Sequence, residues 1–223
     1  MLSIDTCGPS GSVALGRLKG REVEILGQTE LVGRTYSVTL VAAVAELLAL
    51  KNLVLEDLGG IVAVSGPGSF TGVRVGLSAV KGLAEGAQIP VVAISRLLVL
   101  ASKAGVPSCA LDAHRDEVFL SVEEMGRPPR ELLASERELA TIRPAPMRVA
   151  VCDDRAAVLL TNAWPSTQIV RCEAPLASDA LHLGAPRLIS GSQDDLARLD
   201  GNYLRRSDAE IFGEVVAAGQ RRS

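Results

Sequence analysis

Along the N-terminal half of the chain, apolar positions follow two rhythms. Short apolar runs bounded by Asp, Gly or Pro read as strands, and longer stretches that keep apolar residues three and four apart read as helices. "MLSIDT" is a strand ending on Asp5, and "GPSGS" is a turn by composition. "SVALGRL" and "REVEILGQTELV" are two further strands, with "KGR" as the hairpin between them. "SVTLVAAVAELLALKN" is a helix from Ser37 to about Asn52. "GGIVAVSG" is a buried strand, and the stretch 69–85 after it is a helix. "IPVVAIS" is a strand, and "RLLVLASKAG" is a helix closed by Gly105. The order βββαβαβα predicts a mixed sheet with helices on its faces.

A second unit begins after "GVPS". "CALDAHRDEVFLSV" repeats the plan of "LSIDTCGPSGSVAL": apolar strand, Asp, polar turn, apolar strand, with Asp112 in the place of Asp5. This weak internal repeat suggests two lobes of related topology. "GRPPRELLASERELATIRPAP" reads as a loop plus a helix, "MRVAVCDD" and "TQIVRCEAP" as strands, and "ASDALHLGAPRLIS" as a helix. Asp153–Asp154 is a turn or a helix cap. The expected division is a first lobe over 1–105, a less regular second lobe over 106–206, and a C-terminal helical tail over 207–223.

The most unusual stretch is "SGPGSFTGVRVGLSAVKGLAEG", residues 65–86. Each Gly inside a helix costs roughly 1 kcal/mol against Ala, so some interaction must offset it. At 100° per residue, Phe70, Val73, Leu77, Val80 and Ala84 form one stripe. Arg74, Ser78, Lys81 and Glu85 form a narrow polar sector beside it. Gly72, Val75, Gly76, Ala79 and Leu83 lie opposite, a face from which little projects, so another backbone could approach closely. The preceding helix carries one charge, Glu46, between Thr39 and Leu50, and is apolar all round. Two such helices cannot both be covered by one sheet. Either the second lobe or a partner chain covers them.

A nucleotide is the other candidate. "GPGSFTG" follows a strand and opens a helix, where free N–H groups and the helix dipole could hold an anion. A Walker loop needs Lys-Ser/Thr directly after its second Gly, and here Val73 and Arg74 follow Gly72. The dinucleotide fingerprint G-x-G-x-x-G is missed by one position. A structural turn with Ser69 or Thr71 as helix cap is the simpler reading. Asp5 and Asp112, at strand ends facing a cleft, could hold a hydrated magnesium. With Thr6, Gly66, Gly68, Ser69 and Thr71 they define a vestigial nucleotide or metal cleft. His114, Asp116 and Glu117 read as part of a charged turn.

Composition narrows the field. Hydrophobic residues are 48% and charged residues 22%, which describes a globular chain. A net charge of −3 and 3% aromatics argue against avid nucleic-acid binding by this chain alone. The two histidines are His114 and His182, in neither HxxxH nor HExxH, so a histidine metal centre is excluded. There is no GxSxG nucleophile elbow. The four cysteines (Cys7, Cys109, Cys152, Cys172) lack CxxC spacing and read as reduced structural thiols. The N-terminus does not resemble a signal peptide and no apolar run approaches a membrane span, so a cytoplasmic location without membrane contact is expected. The residues alone offer no convincing catalytic set.

"LSIDTC…SVAL", "SGPGSFTGVRVG", "LDAHRDEVF" and "NYLRRSDAE" together resemble the TsaB family, in order from residue 2 to about 210. The resemblance implies a two-lobed α/β fold like actin, Hsp70 and sugar kinases (ribonuclease H-like), with mixed sheets flanked by helices. It implies a non-catalytic scaffold in the bacterial machinery that makes N6-threonylcarbamoyladenosine at position 37 of tRNAs reading ANN codons. The partners implied are the catalytic paralogue TsaD and the small ATPase TsaE, with tRNA reached only through the complex and a homodimer when alone. ATP and a metal ion are expected in the partner subunits, and no cofactor or metal in this chain. By alignment, Arg96 and Leu100 stand where TsaD has its two metal histidines, and neither can serve as a ligand. Tyr36 stands where the family often has His. The expected partner interface is Leu40, Val44, Leu47, Gly72, Val75, Gly76, Ala79 and Leu83, so Gly76→Leu would block pairing and leave the chain folded. The rival readings are a kinase-like magnesium-dependent ATPase and a peptidase of the glycoprotease superfamily.

Overall fold

The computed structural model describes residues 1–205 except Arg21, Arg34 and Met125. The helical tail expected over 207–223 lies outside the described residues. Two five-stranded sheets form the framework, built from β1 (Leu2–Asp5), β2 (Gly11–Lys19), β3 (Glu22–Leu31), β4 (Ile61–Val64) and β5 (Val91–Ile94), then β6 (Cys109–Asp112), β7 (Glu117–Glu124), β8 (Arg127–Ser135), β9 (Arg148–Val151) and β10 (Gln168–Arg171). Their orders are β3-β2-β1-β4-β5 and β10-β9-β6-β7-β8. Each is an antiparallel meander of three strands extended by two parallel ones. The sheets share one topology, and Asp5 and Asp112 close their equivalent strands. This is the two-lobed, actin-like α/β architecture.

Parallel neighbours need a crossover. In the first lobe α1 (Tyr36–Ala49) and α2 (Phe70–Ala87) supply it on one face. Ser69 caps α2, its hydroxyl accepting from Gly72 N at 3.3 Å. In the second lobe a short α4 (Glu136–Leu139) and α5 (Asp154–Ala163) cover one face. Asp153 caps α5, accepting from Ala156 N at 2.7 Å. α3 (Arg96–Ala104) leaves the first lobe and packs Leu97 and Leu100 on the other face of the second sheet.

Three elements depart from the sequence reading. Residues 127–135 form strand β8 and not a loop. Pro128 and Pro129 are tolerated because β8 is an edge strand, paired only with β7. Helix α5 was not foreseen between the two strands that it connects. α6 (Ala177–Ile189) belongs to the stretch assigned to the second lobe, yet it packs across the first sheet. Gly184 permits this: a Cβ there would lie 2.5 Å from Val62 Cγ2. Ser12 Oγ anchors the start of α6 by accepting from Ala177 N at 2.8 Å.

Candidate functional site

The turn after β1 is the centre of the first lobe. Asp5 is 2% exposed, and its Oδ1 accepts from Cys7 N at 2.8 Å. Its Oδ2 faces Arg96 Nε at 3.3 Å, and Arg96 is itself 6% exposed. Gly8 passes directly over the guanidinium, since a Cβ there would lie 2.5 Å from Arg96 Nη2. The Tyr36 hydroxyl donates to the Gly8 carbonyl at 3.0 Å, so Tyr36 clamps this turn. Burial and the Asp5 charge push its phenol up to about 12, which keeps it a donor. Burial, with Asp5 nearby, holds the Cys7 thiol far above its ordinary value. Tyr36→Phe is expected to cost about 1 kcal/mol, read as a lower urea midpoint at unchanged slope.

The Gly-rich helix is shaped by the same turn. A Cβ on Gly72 would lie 2.1 Å from Thr6 O, and one on Gly76 would lie 2.2 Å from Thr6 Oγ1. The Thr6 hydroxyl donates to Gly72 O at 2.7 Å, and Ser69 N donates to Cys7 O at 2.8 Å. The expected placement of Gly72 and Gly76 on a partner face is therefore corrected. They are spent on close packing against residues 6 and 7 of their own chain.

Leu40, Val44 and Leu47 need the same correction. They are 1%, 2% and 3% exposed and belong to the first-lobe core. The open face of α1 is instead the stripe Val38, Val41, Ala42, Ala45 and Ala49, with Val38 at 79% and Val41 at 56% exposed. Beside it on α2 lie the half-buried Val75, Ala79 and Leu83, with Gly82 and Gly86, where a Cβ would meet nothing within 4 Å beyond the helix's own neighbouring backbone. Among the described residues none of the second lobe covers this two-helix surface.

Asp112 has partners of its own. Its Oδ2 faces His114 Nδ1 at 3.0 Å and Arg155 at 4.0 Å, and its Oδ1 accepts from His114 N at 2.8 Å. His114, Arg115 and Asp116 all adopt positive φ, near 59°, 56° and 57°. Residues 201–205 run as a strap between the lobes. Asn202 N donates to Ser65 O at 2.7 Å, and the Tyr203 ring lies 5.0 Å from that of Phe70. Asn202 Nδ2 and the Ser95 hydroxyl both reach Glu131 at 2.5 Å, and Arg205 pairs with Glu117. Glu131, Asn202, Tyr203 and Arg205 were not picked out from the sequence as site residues. Their contacts span distant segments, and only the "NYLRR" motif marks the strap.

The profile of the TsaD family, described as tRNA N6-adenosine threonylcarbamoyltransferase, matches residues 27–128. The chain is 37% identical over 127 residues to a tRNA threonylcarbamoyladenosine biosynthesis protein TsaB from Haemophilus influenzae, covering 54% of this chain and 52% of that one. Against the Escherichia coli protein of the same name it is 30% identical over 150 residues, covering 65% and 62%. A solved structure titled YeaZ from Pseudomonas aeruginosa superposes with a TM-score of 0.72 at 25% identity, covering 91% of this chain and 98% of that one. Over the matched region the chain is similar to TsaB proteins. The aligned region spans about half to three fifths of the curated relatives' length.

An actin-like fold implies a magnesium nucleotide between the lobes, and the residues of this chain do not fit one. The carboxylate that would face the metal is neutralised from within by Arg96, whose charge repels a cation. Leu100, one turn along α3 from Arg96, is fully buried under the second sheet and offers no ligand atom. Among the described residues no three His, Cys, Asp or Glu side chains gather in a way that could hold a metal ion. No described helix is long and apolar enough to cross a membrane.

Proposed function

We propose that this chain is a non-catalytic scaffold and activating subunit in the formation of N6-threonylcarbamoyladenosine at position 37 of tRNAs reading ANN codons. It pairs with TsaD, with TsaE joining the assembly and tRNA bound only through it. ATP and the metal ion belong to those partners, and the location is cytoplasmic. The observation that carries the reading is the open surface of α1 and α2. Small apolar side chains repeat there at helical spacing, and such a face lets two helices of another chain pack closely. Without TsaD the same face pairs two copies of this chain.

Val41→Asp places a charge in the middle of that face while Leu40 and Val44 keep the core intact. Affinity for cognate TsaD is expected to fall on the order of 100-fold, with the thermal melt of the free chain unchanged. Light scattering behind size exclusion reads both species. A one-to-one complex of undiminished affinity would place the interface elsewhere. The rival readings, a kinase-like ATPase and a glycoprotease-type peptidase, would work from the cleft at Asp5. The Arg96 ion pair counts against the first, which requires heat on titrating the isolated chain with magnesium ATP.

A further inference from the structure

We infer that Cys152 and Cys172 form an oxidisable pair that closes to an intramolecular disulfide. The two residues follow directly on β9 and β10, which run parallel with Arg171 opposite Val151. Cys172 N donates to Val151 O at 3.0 Å, so the pairing continues to the next position and places Cys172 opposite Cys152. Ala150 and Val170 precede them on the same face, against the cluster under α3. Both thiols therefore project to one side of neighbouring strands, about 4.8 Å apart at the backbone, within the span that a disulfide bridges. Both are partly exposed, whereas Cys7 and Cys109 are buried.

α3 sets a cation near each thiol: Arg96 near Cys152 and Lys103 near Cys172. Each cation opposes the upward push of burial, which leads for both groups and takes Cys152 to about 11. Asp153, beside Cys152, and Glu173 and Asp179, near Cys172, push the same way as burial. At neutral pH the pair rests as thiols. A peroxide supplies the two-electron oxidant. One thiolate attacks the peroxide O–O bond, giving a sulfenic acid and hydroxide or water. The other thiolate attacks that sulfur, the S–S bond forms, and the sulfenic oxygen leaves as water. The link staples edge strand β10 to β9 and closes the loop over α5.

The test treats the full chain with hydrogen peroxide, alkylates free thiols and digests with trypsin. Cleavage at Arg148, Arg155, Arg171 and Arg187 releases 149–155 and 172–187, each with one cysteine. The expected product is these two peptides joined, two hydrogens lighter than their sum, with Cys7 and Cys109 alkylated only after denaturation. Reduction should reverse it, and Cys152→Ser or Cys172→Ser should each abolish it while the fold persists. Separate sulfinic or sulfonic acids, a link between two chains, or both thiols still free after prolonged exposure would each overturn the pair.

Discussion

Arg96→Met is expected to destabilise the chain by about 3–5 kcal/mol, the cost of leaving one member of a buried ion pair without its partner. Asp5 and Arg96 have side chains only 3% and 7% exposed, so water screens neither charge. The carboxylate also holds the turn by accepting from Cys7 N. Methionine keeps the stem of the arginine but not its charge, so the loss reports the charge and little of the packing. Asp5→Asn combined with Arg96→Met removes both charges and keeps a side-chain oxygen for Cys7 N. The double variant should recover most of the loss, because a buried pair replaced as a unit is often near neutral. Urea unfolding of the four members of this cycle gives the coupling. A single-variant loss below about 1 kcal/mol would mean that water reaches Asp5 freely. The same cycle bears on function, since a cleft whose carboxylate already has a built-in counter-ion has no charge left for a metal.

The strands and helices of the first lobe were legible because each is bounded by its own local signals: Asp5 and a Gly-Pro turn after β1, Ser69 before α2, Gly105 after α3. The second lobe was harder for identifiable reasons. β8 carries two prolines, which an edge strand accepts and a sequence scan reads as a loop. The α5 crossover becomes necessary only once β9 and β10 are known to be parallel. The return of α6 to the first sheet depends on Gly184 meeting Val62, a contact between segments far apart in the chain. The candidate site divides in the same way. The pattern identified α1 and α2 as carrying more apolar surface than one sheet covers. It could not say which side of each helix the sheet takes. Burial reverses the assignment on α1, taking Leu40, Val44 and Leu47 inward and leaving Val38 and Val41 out. Arg96 stood out only as a residue in the wrong place for a metal ligand. Its partner lies 91 positions away, and no local signal links the two.

Gly72→Ala and Gly82→Ala should move stability in opposite directions, although both replace a glycine inside the same helix. At Gly82 no atom beyond the helix's own neighbouring backbone comes within 4 Å of the new methyl group, so the helix gains intrinsic preference and about 1 kcal/mol. At Gly72 the methyl group would lie 2.1 Å from the Thr6 carbonyl oxygen, a backbone atom that cannot swing aside. Relief requires moving α2 away from the β1 turn. That stretches the Thr6 hydroxyl bond to Gly72 O and the Ser69 N bond to Cys7 O. A loss of about 3 kcal/mol is expected, at the upper end for overpacking a filled core. Gly76→Leu meets Thr6 Oγ1 at 2.2 Å and should destabilise the free chain as well. It therefore cannot report on pairing alone, contrary to the sequence expectation. Gly82→Leu is the variant that can, because its side chain projects from the open face of α2. Thermal melts of the free chains, followed by light scattering with cognate TsaD, separate the two roles. Gly72→Ala should melt early, and Gly82→Leu should melt no earlier than the unsubstituted chain and fail to pair. Equal melting of Gly72→Ala and Gly82→Ala would show that Thr6 yields, and the close approach of α2 to the first turn would no longer explain its inner glycines.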